Sequence, residues 1–209
     1  MTTLSNPYTL GYHGCRRNVG EAILRGDKPH LKPSDNPWDW LGKGIYFWEA
    51  DPIRGYEWAS AHCKAAGDEP FVIGAVIHLG NSLNLMDRTS LETLKKTYTS
   101  FTAFHRRSFP GTPLPQNRRT SKGPSHALDC QVINHLHTIM AKDMDAKGNP
   151  VPAFNTVRGL YQEDEPVFSG SMIRERTHIQ ISVLTPEESI QGYFRVPESH
   201  YLGSNGPAS

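Results

Sequence analysis

Leu41-Gly42-Lys43-Gly44-Ile45-Tyr46-Phe47 lies downstream of Tyr12-His13-Gly14, and together the two pieces are the most informative part of the chain. A His that follows an aromatic residue and precedes Gly is suited to ending a short strand. Its imidazole then faces a cleft, and the Gly gives a ligand close access to the backbone. Gly42 and Gly44 lead into a second strand, Ile45-Tyr46-Phe47-Trp48, which is expected to carry the phenol of Tyr46 beside that imidazole. An aromatic ring in that place stacks on a flat heterocycle, and the His hydrogen-bonds a ligand hydroxyl.

The 209 residues predict one domain over 1–196 and a flexible tail over 197–209. A net charge of +1 argues neither for nor against a nucleic-acid partner. Cys15, Cys63 and Cys130 are odd in number and far apart, which fits neither a disulfide framework nor a Cys-x-x-Cys metal site and implies a reduced, cytoplasmic setting. Residues 1–7 carry no basic stretch and no apolar core of a signal segment, and nowhere do about eighteen apolar residues run together. The expectation is a chain neither secreted by a classical signal nor spanning a membrane. His135 and His137 stand two apart on a predicted helix and so point to different faces, and no metal is expected.

Along the chain, a strand over 11–14 is followed by a helix that opens on the capping-box pattern Asn18-x-x-Glu21 and stops at Gly26. Residues 28–40, with three prolines and two tryptophans, read as a loop covering the pocket. Asp51-Pro52 supplies an N-cap and first-turn proline for a helix running toward Ala66. Phe71–Ile77 is a nearly unbroken apolar run, suited to a strand buried on both faces. Thr89-x-x-Glu92 opens a helix on which Leu91, Leu94 and Tyr98 share a face. Leu128, Val132, Leu136 and Ile139 mark another helix of about fourteen residues. Phe154–Tyr161, Thr177–Val183 and Ile190–Val196 read as strands, the second with one polar and one apolar face.

Taken together, these motifs resemble the poly(ADP-ribose) polymerase and diphtheria-toxin branch of the ADP-ribosyltransferases, which uses a His, a Tyr and usually a Glu. His13-Gly14-Cys15 is similar to the family's first strand. Gly42-Lys43-Gly44-Ile45-Tyr46-Phe47 matches its second without a change, and Leu79-Gly80-Asn81 is similar to the end of its hydrophobic strand. About two thirds of the chain can be laid against the family in order. The resemblance implies an α/β (α+β) ADP-ribosyltransferase fold: two packed, mostly antiparallel β-sheets around an NAD cleft, with flanking helices. It implies that His13 anchors a ribose, that the backbone of Gly14 holds the nicotinamide carboxamide, and that Tyr46 and Tyr56 sandwich the nicotinamide ring. NAD+ is the implied co-substrate.

The third position departs from the family pattern. The strand that commonly begins with Glu reads Thr177-His178-Ile179-Gln180 here, with His178 and Gln180 on one face and no acid. Glu163 and Glu165 stand in what reads as the loop before it. Their spacing resembles the toxin branch's Glu-x-Glu pair, although that pair abuts its strand and these do not. All four residues stay candidates. Relatives without the Glu transfer a single ADP-ribose or lose activity, so the resemblance implies mono-ADP-ribosylation of a macromolecular acceptor, protein or nucleic acid, by a bacterial toxin of toxin–antitoxin or phage-defence type.

Arg106, Arg107, Arg118, Arg119 and Lys122 lie in an acid-free, proline-rich stretch read as a loop, with Phe101, Phe104 and Phe109 beside it. It suits single-stranded nucleic acid or the seat of an acidic antitoxin protein. Two other readings keep the pocket: an NAD-dependent RNA 2′-phosphotransferase-like enzyme, and a catalytically inert NAD- or ADP-ribose-binding module.

Overall fold

The computed structural model describes residues 8–63, 68–120, 123–144 and 147–202. It is a mixed α/β fold with one large sheet, a small two-stranded ribbon and flanking helices. In chain order the strands are β1 (Tyr8–Arg16), β2 (Ile45–Glu49), β3 (Pro70–His78), β4 (Ser82–Asn84), β5 (Asn117–Thr120), β6 (Gly123–His126), β7 (Thr156–Pro166), β8 (Arg174–Val183) and β9 (Ile190–Arg195). The helices are α1 (Arg17–Leu24), α2 (Pro52–His62), α3 (Arg88–Ser108), α4 (Ala127–Met140) and the single turn α5 (Pro186–Ser189). The large sheet has the order β4-β7-β8-β2-β1-β3-β9, antiparallel throughout except for the parallel β4–β7 pair.

Two separate packed sheets were the expectation, and hydrogen bonding joins them into one. The join is narrow. β1 and β2 share only the register pairs Gly11↔Glu49 and Tyr12↔Trp48. Beyond them β1 stays paired with β3 as far as Arg16↔Pro70, and β2 stays paired with β8 as far as Ile45↔Val183. The sheet therefore forks at His13 and Phe47, with β1-β3-β9 on one arm and β2-β8-β7-β4 on the other.

Local chemistry explains the elements. β3 is buried on both faces, with Phe71, Val72, Ile73, Ala75 and Ile77 in the core, as an unbroken apolar run requires. Asp51 caps α2 by accepting from the Arg54 N–H at 2.9 Å, with Pro52 in the first turn. Gly26, at φ +78°, ends α1 where the sequence places its stop. The capping box fails: α1 starts one residue earlier, at Arg17, and no side chain caps it. α3 is capped by Asp87 rather than Thr89 and runs through Ser108. Arg106 and Arg107 thus sit in its last turn, where cations favour the helix dipole, and not in a loop. The predicted loop also hides the β5–β6 hairpin, which places Arg118 and Arg119 on a strand; Lys122 lies outside the described residues.

β8 has a buried half rather than a polar and an apolar face, because Ile181, Ser182 and Val183 are all fully covered. Within the expected tail, residues 197–200 are exposed, but Tyr201 is buried against Val72 and Val196, with its ring 5.1 Å from that of Tyr56, which anchors the segment. Residues 203–209 of the expected tail lie outside the described residues.

Gly14 and Gly55 let α2 lie directly on β1. A Cβ on Gly14 would stand 2.0 Å from the Gly55 carbonyl oxygen, a backbone atom that moves only with the helix. Gly14→Ala is expected to destabilise the fold by about 1–3 kcal/mol, the usual cost of overpacking. Urea denaturation checks it against Gly170→Ala, whose Cβ meets nothing within 4 Å but whose φ of +83° carries its own strain. A Gly14→Ala midpoint equal to that of the parent protein would contradict the tight crossing.

Candidate functional site

The fork opens into a cleft of about 630 Å³, within the range of small-molecule sites. β1 contributes His13 and Gly14, β2 contributes Tyr46 and Trp48, α2 contributes Arg54, Trp58 and His62, and Gln180 and Glu163 reach in from β8 and β7. The proline-rich segment before β2 covers it with Ser34, Asn36, Trp38, Asp39 and Trp40, as its sequence implies.

His13 holds the fork. Its Nδ1 lies 2.7 Å from the Tyr46 carbonyl oxygen, which can only accept, so Nδ1 carries the proton in the neutral ring. Nε2 then keeps its lone pair as an acceptor. Burial pushes the His13 pKa below its usual 6.5, against the pull of the carbonyl, and keeps the ring neutral near pH 7.

Tyr46 is fixed by its hydroxyl, which donates to the Gly42 carbonyl at 2.7 Å and accepts the Leu41 N–H at 3.0 Å. Burial, with Asp39 nearby, raises its pKa. The hydroxyl is therefore occupied and the ring is what Tyr46 offers the cleft. The Gly42–Gly44 run is explained by the same turn. Gly42 has φ +75° and packs against Asn134, whose Oδ1 accepts the Lys43 N–H at 3.0 Å; Gly44 has φ +153° and touches Ser182.

Tyr56 does not reach the cleft. It packs on the far side of α2 with Tyr201, because residues two apart on a helix face nearly opposite ways, and it is Arg54 and Trp58, four apart, that face inward. Trp58 stacks on His62 at 4.0 Å, and the Arg54 guanidinium lies 5.5 Å over the Trp48 ring.

The four candidates for the third position separate. Gln180 stands opposite Trp48 in the β2–β8 ladder, and its Oε1 accepts from Trp40 Nε1 at 2.6 Å. His178 lies two residues outward, only 6 % exposed, between Trp48 and Tyr161, and does not line the cleft. Burial lowers its pKa, and its Nδ1 makes no hydrogen bond. Glu163 and Glu165 are on β7 and not in a loop. The strand is longer than its apolar residues suggest because Gln162 and Glu163 keep pairing with Thr177 and Arg176. Glu163 reaches the cleft, accepting from Arg54 Nε at 2.8 Å, and both side chains are mostly covered, 14 % and 22 % exposed. Glu165 follows a bulge at Asp164 (φ +67°) and lines a neighbouring groove together with Arg118 and Arg119. Arg106 and Arg107 line neither.

Arg54, Trp58, His126 and Tyr161 were not among the residues singled out from the sequence. Arg54 and Trp58 had a signal in their spacing behind the Asp51 cap. Among the described residues no three His, Cys, Asp or Glu side chains cluster to hold a metal, and no helix is long and apolar enough to cross a membrane. No family model matches the chain, and no curated protein matches its sequence.

Burial also pushes His137 on α4 down to about 4 from 6.5. Between those values the unfolded chain binds a proton that the fold refuses, so stability is full above pH 6.5 and falls as pH drops toward 4. His13 and His178 act in the same direction. The urea midpoint is expected to decline over that window, and His137→Leu is expected to flatten the decline; a parent midpoint that does not change between pH 7 and pH 5 would contradict it.

Proposed function

We propose that this chain is a mono-ADP-ribosyltransferase, which takes ADP-ribose from NAD and places it on a macromolecular acceptor. The observation that carries the reading is the fork itself: a neutral imidazole acceptor on one strand and a fixed phenol ring on the next, both lining one cleft. His13 Nε2 accepts a ribose hydroxyl, the Gly14 backbone meets the carboxamide, and the Tyr46 ring stacks on the nicotinamide. The second ring of the sandwich is Trp48 or Trp58, which line the cleft where Tyr56 does not.

Breaking the bond between nicotinamide and ribose builds positive charge on the sugar, and a fixed carboxylate stabilises it. Glu163 supplies that carboxylate and Gln180 a neutral hydrogen-bonding group beside it, in place of an acid on β8. Arg54 both orients Glu163 and tempers its charge. In the toxin setting that the sequence resemblance implies, Arg118 and Arg119, both exposed, are the surface offered to the acceptor or to an acidic antitoxin protein.

Labelled NAD mixed with the purified protein and with separated RNA, DNA and protein fractions is expected to mark one fraction with single ADP-ribose units. Tyr46→Ala and His13→Ala are expected to reduce labelling about 100-fold or more, the scale of losing a binding contact worth about 3 kcal/mol. Glu163→Gln is expected to slow labelling by about 10²-fold while NAD still binds. Nicotinamide release without label indicates a hydrolase, binding without turnover an inert module, and no NAD binding contradicts the reading.

A further inference from the structure

The cleft continues past Tyr161 into a second groove of about 610 Å³, between the β5–β6 ribbon and the outer end of β7. Pro124, His126, Tyr161 and Glu163 line both spaces and so stand at their junction. There, three side chains form a hydrogen-bonded chain. Asp129 Oδ2 lies 3.4 Å from His126 Nδ1, and His126 Nε2 lies 3.1 Å from the Tyr161 hydroxyl. Asp129 is in the first turn of α4, His126 is its N-cap and Tyr161 is in the middle of β7. An ionised carboxylate can only accept, so His126 Nδ1 carries the proton and Nε2 accepts the Tyr161 O–H. The phenolic oxygen keeps lone pairs for another donor. Its surroundings are fixed: the Tyr161 ring packs on Trp40 at 5.0 Å and on His178 at 5.7 Å. Asn117 on β5 accepts the Leu128 and Asp129 N–H groups at 3.0 and 3.3 Å, which sets the start of α4 and holds the carboxylate in place.

A carboxylate behind an imidazole behind a hydroxyl is the arrangement that draws a proton from a nucleophile. We propose that Tyr161, backed by His126 and Asp129, is the proton relay that activates an acceptor hydroxyl approaching from the groove. The proposal rests on the transferase reading and names a class of acceptor within it: one that attacks through an O–H group. The acceptor proton passes to the Tyr161 oxygen as the Tyr161 proton passes to His126 Nε2. The acceptor oxygen bonds the anomeric carbon, the carbon–nitrogen bond breaks, and its electron pair leaves with nicotinamide. The imidazolium, steadied by Asp129, returns its proton to water. NAD+ and R–OH thus give the O-linked ADP-riboside, neutral nicotinamide and one proton. Tyr161 is the catalytic residue, and His126 and Asp129 position and polarise it. The relay also separates two tasks that one acid on β8 would combine, since Glu163 faces the charge on the sugar and the relay faces the acceptor.

The test uses the full chain, labelled NAD and whichever cell fraction the parent protein labels. Tyr161→Phe and His126→Ala are expected to bind NAD within about twofold of the parent and to transfer label about 10²- to 10⁴-fold more slowly, the range for positioned proton transfer. Added imidazole is expected to restore His126→Ala by at least about tenfold and to leave Tyr161→Phe unchanged, a difference that a merely structural role would not produce. Label on an amine or ring nitrogen that resists hydroxyl-specific cleavage, undiminished transfer in Tyr161→Phe, or loss in His126→Ala that imidazole does not relieve would each overturn the relay. A parent protein that binds no NAD would instead overturn the transferase reading beneath it.

Discussion

The hydrogen bond from His13 Nδ1 to the Tyr46 carbonyl is the interaction on which the site depends. Two neighbouring strands ordinarily saturate each other along their length, and here the ladder stops after two register pairs. The strands part because each is held by its other neighbour, β1 by β3 and β2 by β8. One backbone carbonyl on the inner edge of β2 is thereby left without a ladder donor. The imidazole fills that vacancy, since a buried unsatisfied carbonyl costs about 1–3 kcal/mol. By doing so it fixes its own tautomer and turns an acceptor nitrogen toward the open space. One side chain thus meets a structural need and leaves an acceptor nitrogen at the cleft.

The walls of the cleft follow from the same geometry. α2 can approach the fork only because Gly14 and Gly55 carry no side chains, and the close crossing brings Arg54 and Trp58 over the strand ends. Arg54 then meets Glu163 from the other arm, so an ion pair spans the opening. Both side chains are largely covered, and pairing offsets the desolvation that either would suffer alone. The aromatic lining, from Trp38, Trp40, Tyr46, Trp48, Trp58 and Tyr161, suits flat rings more than extended aliphatic chains.

Much of this was legible in the sequence where a residue's role is set by its near neighbours. Gly42 and Gly44, the Asp51-Pro52 cap, the apolar β3 run and the covering loop at 28–40 each act locally and stand where their patterns place them. The misreadings share a different cause. Tyr56 stands at the family's distance from the motif along the chain, but the helix turns it away from the cleft. Glu163 and Glu165 looked like a loop because a polar strand that pairs on one side gives no apolar alternation. Arg118 and Arg119 sit on a ribbon stabilised by backbone pairing and by Asn117, neither of which leaves a hydrophobic trace. His126, Asp129 and Tyr161 come together only through the docking of α4 beside β7, a long-range event that no spacing rule encodes.

The histidine side-chain 15N spectrum reports which nitrogen of His13 carries the proton and whether the other one meets a ligand. At pH 7 the expected spectrum is that of a neutral ring protonated at Nδ1, with an Nε2 resonance that shifts when NAD is added. A ring protonated at Nε2, or an Nε2 signal that stays put under saturating NAD, would contradict it.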